Sequence, residues 1–281
     1  MNAPLDQSAL DHLTPVERLV DIADAMFDRA VALDGISLTK KNDEALLTIH
    51  DTRDETYRGV IQVWRIAIDL LPSSGLEQPI RKELEVDGYK VISRCYHRLQ
   101  DLDKARNAMI RAIDLGYPDG FISLGAIAMD CGDYDAAEKA FLSAIAKDVQ
   151  LMRAHAGLGE LYFKIGTDAL NNKDPKHTEF FEKSEEQFLA AGKERFGEGY
   201  ERAMELFETI GWKEKALSFG EKAAQYYDSH KNKYGDRLRT LSPKIRKIAG
   251  DDRYERFLKG LGRGIGNIVG GGVRNTNKES K

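Results

Sequence analysis

Glu198, Glu201, Glu205 and Glu208 recur at spacings of 3, 4 and 3, which puts four carboxylates on one face of a helix. Like charges so placed repel and weaken the helix by roughly a few tenths of a kcal/mol per pair. The chemistry this stripe points to is therefore the holding of cations. Three arrangements satisfy it: a solvated polar face, a basic segment of a partner, or the chain's own basic C-terminal region folded back. Other candidates for chemistry are sparse. His12, His50, His97, His155, His177 and His230 show neither an H-E-x-x-H motif nor i, i+4 pairing, so no metal site is expected. Cys95 and Cys131 form no metal-type cluster and no disulfide framework, and both are expected to be buried spectators on the first helices of hairpins. Gly262-Arg263-Gly264-Ile265-Gly266 is loosely like a phosphate loop. It follows a helix rather than a strand and lacks a Gly-Lys-Ser/Thr ending, which rules the motif out. No Ser/His/Asp or Cys/His constellation stands out. The expectation is a chain that is not an enzyme, with no catalytic residue, no metal and no cofactor.

The elements that position these residues are helical. Of 281 residues, 42% are hydrophobic and 31% charged, enough for a sizeable core beneath long exposed helices. There are only 7 Pro, and most of the 25 Gly lie at helix ends or in the last stretch, so helix interiors are nearly free of breakers. No run approaches the ~18 apolar residues of a membrane span. The N-terminus lacks the basic start and apolar run of a signal peptide, and a cytoplasmic location is the default. Charge is unevenly divided: Lys231–Lys281 carries 14 Lys and Arg against 5 Asp and Glu, while the rest carries 28 against 41.

Residues 118–151 supply a repeat unit. Counting from Pro118, Phe121, Leu124, Gly125, Ala128, Gly132, Ala137, Phe141 and Ala144 take positions 4, 7, 8, 11, 15, 20, 24 and 27. Small residues thus stand where two helices must touch, and a ring fills the seam between hairpins. Residues 86–117 repeat this with Tyr89, Ile92, Ser93, Tyr96, Ala105, Met109 and Ala112. Residues 152–196 repeat it with Leu158, Gly159, Tyr162 and Gly166, then Phe181, Ser184, Phe188 and Ala191 after an insertion at 167–180. Residues 197–230 follow with Tyr200, Ala203, Met204, Phe207, Gly211, Ala216, Gly220 and Ala223.

This register resembles the tetratricopeptide repeat, W-x2-L-G-x2-Y then A-x3-F then P, over roughly half the chain. The resemblance implies an all-α solenoid of stacked helical hairpins whose concave face, lined by the first helix of each, holds a ligand. Positions 2, 5, 9, 12 and 13 point there. The implied groove residues include Lys90, Arg94 and His97 in the first unit, Ile122, Ala126 and Met129 in the second, and Arg153, Glu160 and Phe163 in the third, followed by the four glutamates. Some members clamp a C-terminal carboxylate, but the matching positions here, Lys90, Arg94, Ser123, Arg153 and Gly157, retain the charges in part and neither Asn.

Outside the repeats, residues 1–13 are expected to be flexible and 14–85 to form a helical cap. Its first helix starts at a capping box, Thr14-Pro15-Val16-Glu17, its second runs near 53–71, and a linker occupies 34–52. Residues 231–261 are expected to form basic helices with a fresh start at Ser242-Pro243. Seven Gly in 260–272 are expected to leave 262–281 disordered. The function these features imply is a non-enzymatic scaffold or adaptor holding a peptide or protein segment. The alternatives are self-assembly through end faces and the tail, giving a homo-oligomer, or contact of the basic C-terminus with nucleic acid or a membrane surface.

Overall fold

The computed structural model describes residues 14–34, 43–193 and 197–260. The expected flexible N-terminus at 1–13 and Gly-rich tail at 262–281 lie outside the described residues. Among those described, all regular structure is helical. The chain divides into two compact units, residues 1–143 and 144–281.

In the first unit, α1 (Pro15–Asp34) starts where the capping box predicts. Thr14 N donates to Glu17 Oε2 at 2.7 Å and Glu17 N donates to Thr14 Oγ1 at 3.3 Å, each satisfying an amide the helix leaves open. The second helix, α2 (Asp43–Leu70), begins ten residues earlier than the expected 53, so much of the expected linker is helix. The residues D-E-A-L-L at its start are on balance good helix formers. Helices α3 (Gln78–Arg98) and α4 (Leu102–Asp114) form the next hairpin, and α5 (Gly120–Asp130) and α6 (Tyr134–Ala146) another, the end of α6 falling in the second unit. Among the described residues, buried clusters hold this unit. One gathers Phe27, Tyr57, Trp64, Ile92 and Cys95 from α1, α2 and α3, and another Ala105, Met109, Ala112 and Ile127.

The small-residue positions carry the hairpin packing. A β-carbon on Gly125 would stand 2.6 Å from the Phe141 ring, so α5 and α6 approach as closely as they do only because position 8 is glycine. Where position 8 is Ser93, its hydroxyl donates to the Ala105 carbonyl at 2.7 Å, across the α3–α4 seam.

The second unit contains α7 (Leu151–Asn171), α8 (His177–Lys193), α9 (Gly197–Thr209), α10 (Lys213–Ser229), α11 (Lys231–Ala249) and α12 (Asp251–Gly260). The 167–180 insertion is mostly extra helix. Helix α7 runs through Gly166 to Asn171, and α8 starts at His177 after a five-residue connection. Gly159 meets the Phe188 ring as Gly125 meets Phe141. Ser184 Oγ donates to the Gly159 carbonyl at 2.8 Å. The core is aromatic, with Phe163, Phe181, Phe188, Phe207, Phe219 and Tyr227 buried against Leu238, Leu241 and Ile245 of α11. No fresh start occurs at Ser242-Pro243. Pro243 lies inside α11, where buried Leu241, Ser242 and Ile245 hold the helix on course, and the non-helical residue is Tyr234 (φ −122°, ψ 17°).

Candidate functional site

The sequence-predicted groove residues fall in both units. In the first, α3 and α5 flank a cleft of about 310 Å³ whose walls include Arg94, His97, Arg98, Ser123 and Ala126. Three expected residues, Arg94, His97 and Ala126, are thereby brought together. Lys90, Ile122 and Met129 are not among its walls: Lys90 is held by Asp87 at 2.7 Å and lies 4.7 Å above the Tyr117 ring, while Ile122 and Met129 are half-buried nearby on α5. His97 Nε2 is 2.6 Å from Asp130 Oδ2, a pairing that joins α3 to the end of α5. The Arg94 guanidinium sits 4.5 Å over the Phe27 ring, which positions the charge without neutralising it.

One cluster beside this cleft was not legible in the sequence. Asp34, the last residue of α1, accepts from Tyr57 Oη at 2.5 Å, lies 3.4 Å from Arg53 and 3.6 Å from Arg98. Burial, and next the bond to the Asp34 carboxylate, push the Tyr57 phenol above its ordinary value. Asp34 read as the start of a linker. No short-range spacing links it to Arg98.

In the second unit the expected residues have partners of their own. Arg153 donates to Gln150 Oε1 at 3.2 Å, and Glu160 accepts from Arg202 at 3.0 Å. Phe163 does not line a surface. It is 6% exposed, with ring centres of Phe181 and Phe207 at 5.4 and 5.6 Å. The reason is that rings from α8 and α9, Phe181 and Phe207, close over it. The glutamate stripe of α9 faces α11: Glu198 pairs with Arg237 at 2.8 Å, Glu205 with Lys244 at 2.6 Å and Glu208 with Lys247 at 3.4 Å. Glu201 is the most buried of the four at 13% exposure, reaches Arg237 and Lys244 at 3.5 Å each, and accepts from Tyr227 Oη at 3.0 Å. Each of the four thus meets a cation of α11, and Glu205 also has Arg202 of its own helix at 3.8 Å. Arg253 of α12 instead reaches Glu214 on α10 at 2.7 Å.

The cysteines differ from expectation and from each other. Cys95 is buried, and burial pushes its thiol up to about 12, which suppresses the nucleophilic thiolate. Cys131 is exposed because it caps α5 at the turn instead of lying within the helix. No group of three or more His, Cys, Asp or Glu side chains among the described residues could hold a metal. No described helix is long and apolar enough to cross a membrane.

The seams decide the fold type: Gly125 under Phe141, Gly159 under Phe188, and serines bonded between positions 8 and 20. The hairpins are tetratricopeptide-like. No family model matches the chain, and no curated protein matches it. Among solved structures it is similar to a thermophilic tetratricopeptide protein of Thermus thermophilus, at 15% identity and TM-score 0.42, covering 63% of this chain and 98% of that one. It is also similar to a tetratricopeptide repeat protein of Parabacteroides merdae, at 15% identity and TM-score 0.43, covering 88% and 98%. A third likeness is to BtubC from P. vanneervenii, at 14% identity and TM-score 0.39, covering 96% and 98%. The tetratricopeptide-like character rests on the seams within the chain, which need no outside likeness.

Proposed function

We propose that this protein is a non-enzymatic scaffold that holds an acidic peptide segment of a partner protein in the α3–α5 cleft. The supporting observation is the cleft itself, about 310 Å³ in volume, with Arg94 exposed on its wall and paired with no carboxylate among the described residues. Ala126 and Ile127 offer a short apolar strip, so the helices preorganise a mixed surface and lower the ordering cost of binding. Charge at Arg94 and Arg98 favours carboxylates over cations. The acidic stripe has counter-charges in α11, so it supports a role in holding α11 better than a role in binding a basic partner.

A photo-crosslinking residue placed at the exposed Ala126 tests this in cells. Adducts with a discrete polypeptide, lost on Arg94→Glu, are the expected result. Adducts that persist unchanged in Arg94→Glu, or that never form, refute a cleft of this specificity.

A further inference from the structure

A second cavity opens on another face of α3. About 400 Å³ in volume, it lies between α2, α3 and α4, with a floor of Ile68, Ile92 and Ala108. On α3 its residues are Tyr89, Ile92 and Tyr96, whereas the peptide cleft takes Ser93, Arg94, His97 and Arg98, and on α4 the cleft takes Met109, so the two sites share helices but no residue.

Cations gather around this apolar floor. Arg65 from α2, and Lys104 and Arg111 from α4, line the cavity, with Asp69 as the carboxylate among its walls. Arg65 Nη2 donates to Tyr96 Oη at 2.8 Å, and Lys104 Nζ lies 5.5 Å from the same ring centre. One tyrosine thus draws cations from two helices to one side. Lys104 has a partner in Asp101 at 2.5 Å. Among the described residues Arg65 meets the neutral phenol of Tyr96 and its ring and no carboxylate, and Arg111 has no ion pair. Two guanidinium forks from different helices, over an apolar floor, lack an oxyanion and something hydrophobic beneath it. A carboxylate fills one fork in bidentate fashion, whereas the extra oxygens of a phosphate serve two.

We propose that the α2–α3–α4 cavity binds a phosphomonoester carried on an aromatic group, the phosphate on Arg65 and Arg111 and the ring on Ile68, Ile92 and Ala108. The bearer is either a free small molecule or a phosphorylated side chain of a partner, since both present the same anion and ring.

Calorimetric titration of the full chain tests the site. Phenyl phosphate is expected to bind at least about tenfold more tightly than inorganic phosphate or benzyl alcohol, because only it uses both forks and floor. Arg65→Gln and Arg111→Gln should each weaken it about tenfold, the scale of one lost charged hydrogen bond, and the double variant should abolish it. Arg94→Glu, in the other cleft, should leave phenyl phosphate binding as it was, so this site can fail or stand apart from the peptide cleft. Circular dichroism checks that each exposed-arginine variant stays folded. Unchanged binding in the folded double variant overturns the proposal, as does equal affinity for inorganic phosphate, which means an adventitious ion only. A short phosphotyrosine peptide that binds more tightly than phenyl phosphate, with the same arginine dependence, supports the site and assigns the anion to a partner. Weaker binding of that peptide, with phenyl phosphate still bound, supports the site and assigns a small molecule.

Discussion

Glu201→Ala is expected to destabilise the second unit by about 2–3 kcal/mol, against less than about 1 kcal/mol for Glu208→Ala, although both glutamates belong to the same stripe. The difference follows from what each removal leaves behind. Glu208 pairs at 3.4 Å with a Lys247 side chain that is 81% exposed, and a cation so placed simply returns to water. Glu201 is 13% exposed and is the acceptor for the hydroxyl of fully buried Tyr227. Truncation leaves that hydroxyl without an acceptor inside the α9–α10–α11 packing, which costs about 1–3 kcal/mol. Loss of the two flanking cation contacts adds about 0–1 kcal/mol. Glu201→Gln keeps an oxygen acceptor and should recover most of the first contribution. Tyr227→Phe removes the donor as well, so in that background Glu201→Ala should cost about 1 kcal/mol or less, the residue of the ion pairs alone. Urea unfolding followed by circular dichroism gives the free energies, and hydrogen exchange of α10 and α11 assigns them to this unit. Equal costs for Glu201→Ala and Glu208→Ala, or no rescue by Tyr227→Phe, would refute the division of the stripe into one structural and three surface glutamates.

Three further outcomes are expected. Phe141→Ala should cost about 3–5 kcal/mol and Gly125→Ala about 1–3, and Gly125→Ala should be milder once the Phe141 ring is gone; chemical denaturation of the single and double variants checks the cycle. Under native conditions an alkylating reagent near pH 8 should label Cys131 and spare Cys95, with both labelled in urea; peptide mass spectrometry reads the difference, and early labelling of Cys95 counts against its burial. The Thr14 backbone amide, and next its hydroxyl, hold the Glu17 carboxyl below its ordinary range. A depressed folded value means that the capping contribution is present above the unfolded pKa and is lost as pH falls through the folded one. NMR titration should show the start of α1 loosening in that acid window, and Thr14→Ala, which removes the hydroxyl but keeps the backbone amide, should move Glu17 only part of the way back toward the ordinary range.

The parts of the fold visible in the sequence were those whose cause is local or periodic. The Thr14–Glu17 box is a four-residue signal, and Gly125 with Phe141 is a spacing that only close helix packing requires. Local signals misled where tertiary contacts override them. Gly166 shares position 15 with Gly132, which lies just past the end of α5, yet it stays inside α7 with the Phe181 ring against it. Pro243 reads as a helix start, and buried neighbours carry α11 through it. Phe163 occupies a groove position by count and a core position by geometry, because rings from two other helices converge on it. Asp34 could not be found at all: its partners Arg53, Tyr57 and Arg98 span a distance along the chain that no motif bridges. The glutamate stripe was visible and its demand for cations was too, but the source of those cations depends on how α11 docks.

The two seam serines differ from the glycines and alanines around them. Small apolar residues let helices approach, yet they set no stop against sliding along the common axis. Ser93 at position 8 reaches the carbonyl of position 20 in its hairpin, and Ser184 at position 20 reaches the carbonyl of position 8 in its own. The same two points are joined from opposite sides, each by a hydroxyl with no room to follow a shifted partner. Such a bond acts as a dowel: it fixes translation where close packing fixes only separation. The two hairpins that carry it are thereby keyed in register, while in the third hairpin the same seam is occupied by the Phe141 ring seated on Gly125.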